Sequence, residues 1–324
     1  MKVCVYGAGA IGGFIGARLG ASGHALSAVA RGATLAALRR HGLRLVQAGE
    51  TIVAPLQAEE DPARLGAQDL VVIAVKGPAL AAVAARIAPL LAADTMVLVA
   101  MNGVPWWFFD GLPGPYAGMK LATVDPDGAI AAAIPTRHVI GCVVHASCAT
   151  PEPGLVRHGM GAGLIVGEPG GGSSARVERL VPELARAGFD AKLSERIQQD
   201  IWYKLWGNMT MNPVSAITGA TGDRILDDPL VRGFCTAAMA EAAAIGAKIG
   251  CGVTQSAEDR HAVTRKLGAF KTSMLQDVEA GRPIELDAIV AVVREIGAKV
   301  GVPTPNIDAL LGLARLFARV RGLY

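Results

Sequence analysis

The run Gly7-Ala8-Gly9-Ala10-Ile11-Gly12 constrains the fold more than any other segment of this 324-residue chain. It is a G-x-G-x-x-G fingerprint. The first glycine permits a tight turn, the second lets backbone approach a pyrophosphate, and the third lets the following helix pack closely on the preceding strand. A chain with 40 glycines produces such runs by chance, so the flanks decide. An apolar strand pattern covers residues 2–6, a helix pattern covers 11–22 and stops at Gly23, and a second strand pattern covers 25–30. That context makes the run the first turn of a βαβ unit. Gly7, Ala8, Gly9, Ala10, Ile11 and Gly12 are expected to hold a dinucleotide at the amide end of the helix.

The end of the second strand selects the dinucleotide. An NAD site places Asp or Glu there, about 20 residues past the fingerprint, to bind the ribose 2′-hydroxyl. Here the residues are Ala30-Arg31-Gly32. An acid would repel a 2′-phosphate, whereas the Arg31 guanidinium can grip one through two N–H groups. NADPH/NADP is therefore the expected cofactor, the plainer reading of Arg31 being a solvated loop residue.

Farther along, a helix is expected over 34–41, buried strands over 70–75 and 96–101, and between them a crossover helix over 78–91 with Pro78 in its first turn. Strands return between 141 and 167, as CVVHASCA and GLIVGEP around the turn-rich TPEPG, and imply a mixed or antiparallel extension of the sheet. A polar loop at 170–174, a helix over 175–187 and a short strand over 189–193 follow. From Ser194 the strand signal fades, and Ala-rich helical segments run to the C-terminus, broken at Pro213, Gly222, Gly252, 281–283 and Pro303. The expected fold is α/β, with an N-terminal Rossmann-type doubly wound sheet over 1–194 that binds NADP. An all-α C-terminal domain over 195–324 is expected to carry substrate and catalysis.

Composition narrows the partners. With 18% charged residues, a formal net charge of +3 and no basic run, nothing calls for nucleic acid or an anionic membrane. Five cysteines without a C-x-x-C pair fit reduced thiols in a cytoplasm, and six scattered histidines lack metal-ligand spacing. The apolar N-terminus reads as the fingerprint strand rather than a leader, because its glycines fall at motif spacing and Arg18 interrupts it. A small-molecule substrate is the expected partner, and a homodimer is left open.

In open α/β sheets ligands bind beyond the carboxyl ends of the strands, so polar residues there stand out. Lys76 follows DLVVIAV and Asn102 follows TMVLVAM. The plain alternatives are a helix-leading surface lysine and a simple Asn-Gly turn. The segment DIWYKLWGNMTMN over 200–212 is more telling, because Lys204, Asn208 and Asn212 recur at i, i+4 and i+8 on a helix otherwise crowded with Trp202, Leu205, Trp206 and Met209. The solvent side of an amphipathic helix is usually richer in Glu and Lys than in two amides, so this stripe should face something polar. Ser273 lies in the helical KTSMLQDVEAG, and Glu285 opens the next helix after a Gly-Arg-Pro turn. A backbone-bonded serine and a helix-dipole carboxylate are the ordinary readings of these two.

With GAGAIGG, Lys76 in VKG, Asn102-Gly103, WYKLWGNMTMNP and SMLQDVEAGRPIELD in this order, the chain resembles the ketopantoate reductase (2-dehydropantoate 2-reductase) family over nearly its full length. The resemblance implies reduction of ketopantoate to pantoate in pantothenate synthesis, with Lys204 as the catalytic acid. It further implies that Asn208, Asn212 and Ser273 bind substrate, while Lys76, Asn102 and Glu285 serve cofactor and reaction centre, Asn102 on the substrate side as well. Two departures stand out. Gly219-Ala220-Thr221-Gly222 replaces a stretch where the family carries a further substrate asparagine. The connection VPWWFFDGLPGPYAG is longer and more aromatic than usual, and either lines a substrate pocket or packs as a core plug. The competing readings are a paralogous NADPH-dependent reductase of another small 2-oxo acid and a non-catalytic dinucleotide sensor.

Overall fold

In the computed structural model, which describes residues 1–324, the run Lys2–Tyr6 is strand β1. It lies parallel between β2 (Ala25–Val29) and β6 (Leu70–Ile73). These strands are buried on both faces along almost their whole length, which is why they read as continuous apolar runs. β7 (Met96–Val99) and the start of β8 (Val139–Glu152) extend the sheet in parallel beyond β6. β9 (Leu155–Gly167) returns antiparallel to β8, as the strand-rich pattern of that region implies. β5 (Gln57–Glu59) closes the other edge beside β2.

Three strands, β3, β4 and the short β5, lie where the sequence pattern carries no element. β3 (Leu43–Gln47) and β4 (Glu50–Ala54) form a hairpin, and β3 joins the first residues of β9 in parallel. β10 (Asp190–Leu193) pairs with the last residues of β9. β8 occupies one edge of β9 along its length, so β3 and β10 share the other edge.

Around this sheet run α1 (Ala10–Ala21), α2 (Gly32–His41), α3 (Leu80–Ala84), α4 (Ala129–Ala133) and α5 (Ala175–Arg186). The crossover over 78–91 is not one helix. It breaks into the short turn Gly77–Ala79, α3 and the turn Ala88–Leu90. Pro89 explains the second break, since its ring cannot donate to the helix ladder and clashes with the carbonyl four residues back.

The chain divides into two compact units, residues 1–101 with 127–200, and residues 102–126 with 201–324. The division expected at 194 lies six residues before one of the seams, but segment 102–126 clusters with the helices and not with its sequence neighbours. Aromatic burial accounts for this. Trp106, Trp107, Phe108 and Phe109 are at most 2% exposed, and Phe108 packs 5.1 Å from Phe109 and 6.1 Å from Trp202, centroid to centroid. Glu295 fastens the end of the segment by accepting from the amides of Ala122 and Thr123, both at 2.9 Å. Of the two readings of this stretch, the core plug is the one realised.

The second unit comprises α6 (Ile197–Thr218, which enters from the first), α7 (Gly222–Asp227), α8 (Pro229–Lys248), α9 (Ala257–Arg265), α10 (Ser273–Glu279), α11 (Val292–Val300) and α12 (Pro305–Val320). A π-helical turn, Asp287–Ala291, leads directly into α11. α6 runs through Pro213, where a break was expected. Met209, Met211, Val214 and Ala216 are all buried around that proline, and this packing offsets the roughly 3 kcal/mol that an interior proline costs. α8 is long and apolar enough to cross a bilayer, and it packs against α7, α9, α11 and α12 along the one face that carries the buried Cys235, Ala238, Met239, Ala242 and Ile245.

Candidate active site

β1 has β2 on one side and β6 on the other, so the sheet changes its direction of growth there, and loops after β1 and β6 flank the crevice used by ligands in such sheets. The fingerprint fills the first of these loops. Gly7 has φ +98°, and a Cβ on it would lie 2.7 Å from Val75 Cγ1 and 3.0 Å from the Ala74 carbonyl, so only glycine lets the ends of β1 and β6 close up. A Cβ on Gly12 would collide with the Gly7 carbonyl oxygen. Gly9 is the opposite case, with nothing within 4 Å of its would-be Cβ. It is the N-cap of α1, a helix whose first turn carries no acid and no side-chain cap. The open cradle before those amides fits a dinucleotide pyrophosphate.

Arg31 is exposed, N-caps α2 just past β2, and carries no cap bond. Its charge reaches the Tyr6 phenol at the end of β1. Burial raises the Tyr6 pKa, while Arg86 and Arg31 oppose that rise. Lys76 is half-buried three residues past β6, at the start of the turn Gly77–Ala79. The Arg31 and Lys76 positions are thus both on loops beyond the carboxyl ends of the sheet.

The remaining candidates belong to the helical unit. Lys204 Nζ donates to Asn102 Oδ1 at 2.8 Å, which joins the middle of α6 to the first residue of the inserted segment. Asn102 is held by its neighbours. Gly103 has φ +87° and Val104 N donates to the Ala288 carbonyl at 2.8 Å, while a Cβ on Gly103 would collide with that same carbonyl. The Asn-Gly pair is therefore more than a turn, because it docks on the π-helical turn that follows Glu285.

Glu285 is half-buried between the buried Ile284 and Leu286, two residues before that turn rather than inside a helix. Ile284 N donates to the Leu323 carbonyl at 3.0 Å, and the Tyr324 hydroxyl donates to Asp287 at 2.7 Å, so the C-terminus pins the segment. Asn208 is half-buried and Asn212 is 5% exposed, one and two turns along α6 from Lys204. Ser273 is exposed at the first position of α10, whose cap is the Thr272 hydroxyl. Asn102 and Lys204 are thus in direct contact, Asn208 and Asn212 share their helix, and Glu285 is tied to Asn102 through the Ala288 turn. No hydrogen bond joins the Ser273 side chain to the others.

One neighbour of the stripe carries no mark in the sequence. Arg260, on α9, lies over the Tyr203 ring at 4.9 Å and against Gly207 of α6. All five cysteines are free, and burial lifts Cys4 and Cys148 to about 12, so neither thiol is poised as a nucleophile.

A dinucleotide cradle in one unit and a lysine–amide cluster in the other are the parts of a dinucleotide-dependent oxidoreductase. Comparison with known proteins agrees. The family model Ketopantoate reductase PanE/ApbA matches residues 3–112, and its C-terminal counterpart matches residues 196–318. A 2-dehydropantoate 2-reductase from Mesorhizobium japonicum is 46% identical over the whole of both chains. A solved Ralstonia solanacearum protein, assigned as a ketopantoate reductase, is 62% identical with a TM-score of 0.97, covering 100% of this chain and 99% of its own. A D-mandelate dehydrogenase solved with NADH and anilino(oxo)acetate covers 100% of both chains at 22% identity and TM-score 0.85, a likeness of fold alone. The chain belongs to the ketopantoate reductase family.

Proposed function

We propose that this protein reduces 2-dehydropantoate (ketopantoate) to (R)-pantoate with NADPH, the reductive step toward pantothenate and coenzyme A. The observation that carries the reading is the 2.8 Å contact of Lys204 Nζ with Asn102 Oδ1, on the helix that also bears Asn208 and Asn212. The first unit is the dinucleotide carrier and the helical unit holds substrate and proton donor. Gly7, Gly9 and Gly12 with the α1 amides take the pyrophosphate, and Arg31 takes the 2′-phosphate that distinguishes NADPH from NADH. Lys76 and Asn102 serve the nicotinamide end.

NADPH, when bound, supplies the hydride that adds to the C2 carbonyl carbon. The Asn102 oxygen accepts one ammonium proton of Lys204 and so fixes the direction of the other two. As the carbonyl π bond breaks toward oxygen, the Lys204 ammonium stabilises the growing negative charge and transfers a proton to it, forming the hydroxyl. The neutral amine left behind regains a proton from water. Asn208, Asn212 and Ser273 hold the substrate's carboxylate and hydroxyl, and Glu285 helps place Lys204.

Steady-state reduction of ketopantoate with NADPH and NADH side by side tests this. Turnover with NADPH at a kcat/KM well above that with NADH is expected, and no turnover with either overturns the reading.

A second reading has its own support. Gly222 N donates to the Phe270 carbonyl at 3.0 Å, and a Cβ on Gly222 would collide with the Phe270 ring. Where the family carries a further substrate asparagine, this stretch thus offers a phenyl ring and no room for a side chain at Gly222. That favours a related 2-oxo acid with a less polar tail. A panel of 2-oxo acids assayed by NADPH loss separates the two readings, ketopantoate being expected to give the highest kcat/KM under the first.

A further inference from the structure

The helix that carries Lys204 has an unexplained notch. Gly207 sits near its middle, buried, where glycine costs about 1 kcal/mol relative to alanine. The notch is filled by the Arg260 guanidinium, whose Nε and Nη2 lie 3.0 and 3.2 Å from the place of a Gly207 Cβ. The same guanidinium lies over Tyr203, whose hydroxyl is anchored to Gln255 at 2.6 Å. Arg260 Nε is buried with no hydrogen-bond partner, and the guanidinium belongs to no ion pair. A partly buried cation outside any ion pair, held only over a tyrosine ring, and a mid-helix glycine are two costs that this one cation–π contact offsets only in part.

Their position gives both a use. Residues three apart on a helix are surface neighbours, about 5–6 Å between Cβ positions. Gly207 stands three residues after Lys204 and directly before Asn208. A small 2-oxo acid brings a carboxylate to this stripe. Asn208, Asn212 and Ser273 offer it dipoles but no charge, and Lys204 gives up its proton in each turnover. Arginine keeps its charge throughout and offers a carboxylate two parallel N–H donors.

We propose that Arg260, seated in the Gly207 notch, pairs with the carboxylate of the 2-oxo acid and makes the site selective for anionic substrates. This rests on the reading that the substrate is a small 2-oxo acid, so binding is measured apart from turnover.

Pantoate binding is titrated calorimetrically onto the full-length protein with NADP present, for wild type, Arg260→Gln, Arg260→Lys and Gly207→Ala. Arg260→Gln should weaken pantoate binding about tenfold or more, the loss of one charge-assisted contact, while its NADP affinity is unchanged. Its KM for ketopantoate should rise in step with kcat nearly constant. Arg260→Lys should recover much of the affinity, and Gly207→Ala should weaken binding by displacing the guanidinium. Should Arg260→Gln fail to fold, the Arg260→Lys and Gly207→Ala pair still decides. The assignment is overturned if Arg260→Gln binds pantoate within about twofold of wild type, well below the tenfold of a lost charged contact, or if Gly207→Ala and Arg260→Lys both bind as wild type does. A wild type that binds pantoate but reduces no 2-oxo acid sinks the reading of the reaction and leaves the binding comparison to judge Arg260.

Discussion

Lys204 and Asn102 are separated by 102 residues of chain, and their side chains meet at 2.8 Å inside one compact unit. The contact is possible because the segment beginning at Asn102 leaves the sheet and docks, through Gly103 and Val104, on the carbonyl of Ala288. An ammonium on a helix is thus aimed by a residue whose own backbone is fixed by a third element.

Replacing Lys204 should therefore stop chemistry without emptying the dinucleotide site. Lys204→Ala is expected to lower kcat by roughly 10²–10⁴, the usual worth of a positioned acid, while NADPH still binds as judged by fluorescence titration. Asn102→Ala should cost less, and the double variant should fall short of the product of the two losses, because the residues act as one unit. Near wild-type turnover by Lys204→Ala would remove lysine from the proton-transfer role.

Gly103 is predicted to be intolerant. Alanine there meets both a φ of +87° and the Ala288 carbonyl. Thermal unfolding of Gly103→Ala should show a loss of roughly 1–3 kcal/mol, and kcat should drop further than stability alone explains as Asn102 is displaced. A variant with an unchanged melting temperature and unchanged kcat would refute the docking argument.

The fingerprint glycines should separate by phenotype. Gly12→Ala forces a methyl group onto the Gly7 carbonyl and should destabilise the first unit, seen as a lower melting temperature. Gly9→Ala meets only open space, so it should fold normally yet bind dinucleotide weakly if its methyl group enters the space proposed for pyrophosphate. Tight dinucleotide binding by Gly9→Ala would contradict that placement.

Arg31→Ala should raise the KM for NADPH by about tenfold or more while leaving that for NADH nearly unchanged, since only the former carries a ribose 2′-phosphate to pair. Parallel kinetics with both cofactors provide the measurement, and equal effects on the two would return Arg31 to an ordinary surface role.

Glu295 gives a pH-dependent expectation. Burial pushes its carboxyl upward, but hydrogen bonds from Thr123 and the Ala122 amide, with the Lys299 charge, prevail and hold it below its ordinary value of 4.5. A carboxyl with a depressed folded-state pKa contributes stability that is present above the unfolded value and lost as pH falls through the folded one. Wild type should therefore exceed Glu295→Gln in melting temperature at neutral pH, with the gap narrowing as pH falls below about 4.5. A gap that stays constant through that range would mean the contact is indifferent to charge.

How much of this could be read from the sequence depends on how local each cause is. β1, α1 and β2 were legible because a parallel strand buried on both faces leaves an unbroken apolar run and the glycines fall at fixed spacing. The hairpin β3–β4 was not, since Glu50, Thr51 and Val53 face solvent and give no alternation. The Lys204, Asn208, Asn212 stripe showed in the helical period alone. The membership of 102–126 in the helical unit did not, because it is decided by Phe108 finding Trp202, far away in sequence. Arg260 was equally silent: its significance lies in the absence of a side chain at Gly207, fifty-three positions earlier.

The backbone passes between the two units three times, at 101/102, 126/127 and 200/201. For anyone building chimeras from relatives of this protein, the transferable block is therefore discontinuous. A single recombination point at 200 would pair one parent's Trp106–Phe109 plug with the other's Trp202, and the Lys204 ammonium of one lineage with the Asn102 of another. Specificity should travel cleanly only when 102–126 and 201–324 are inherited together.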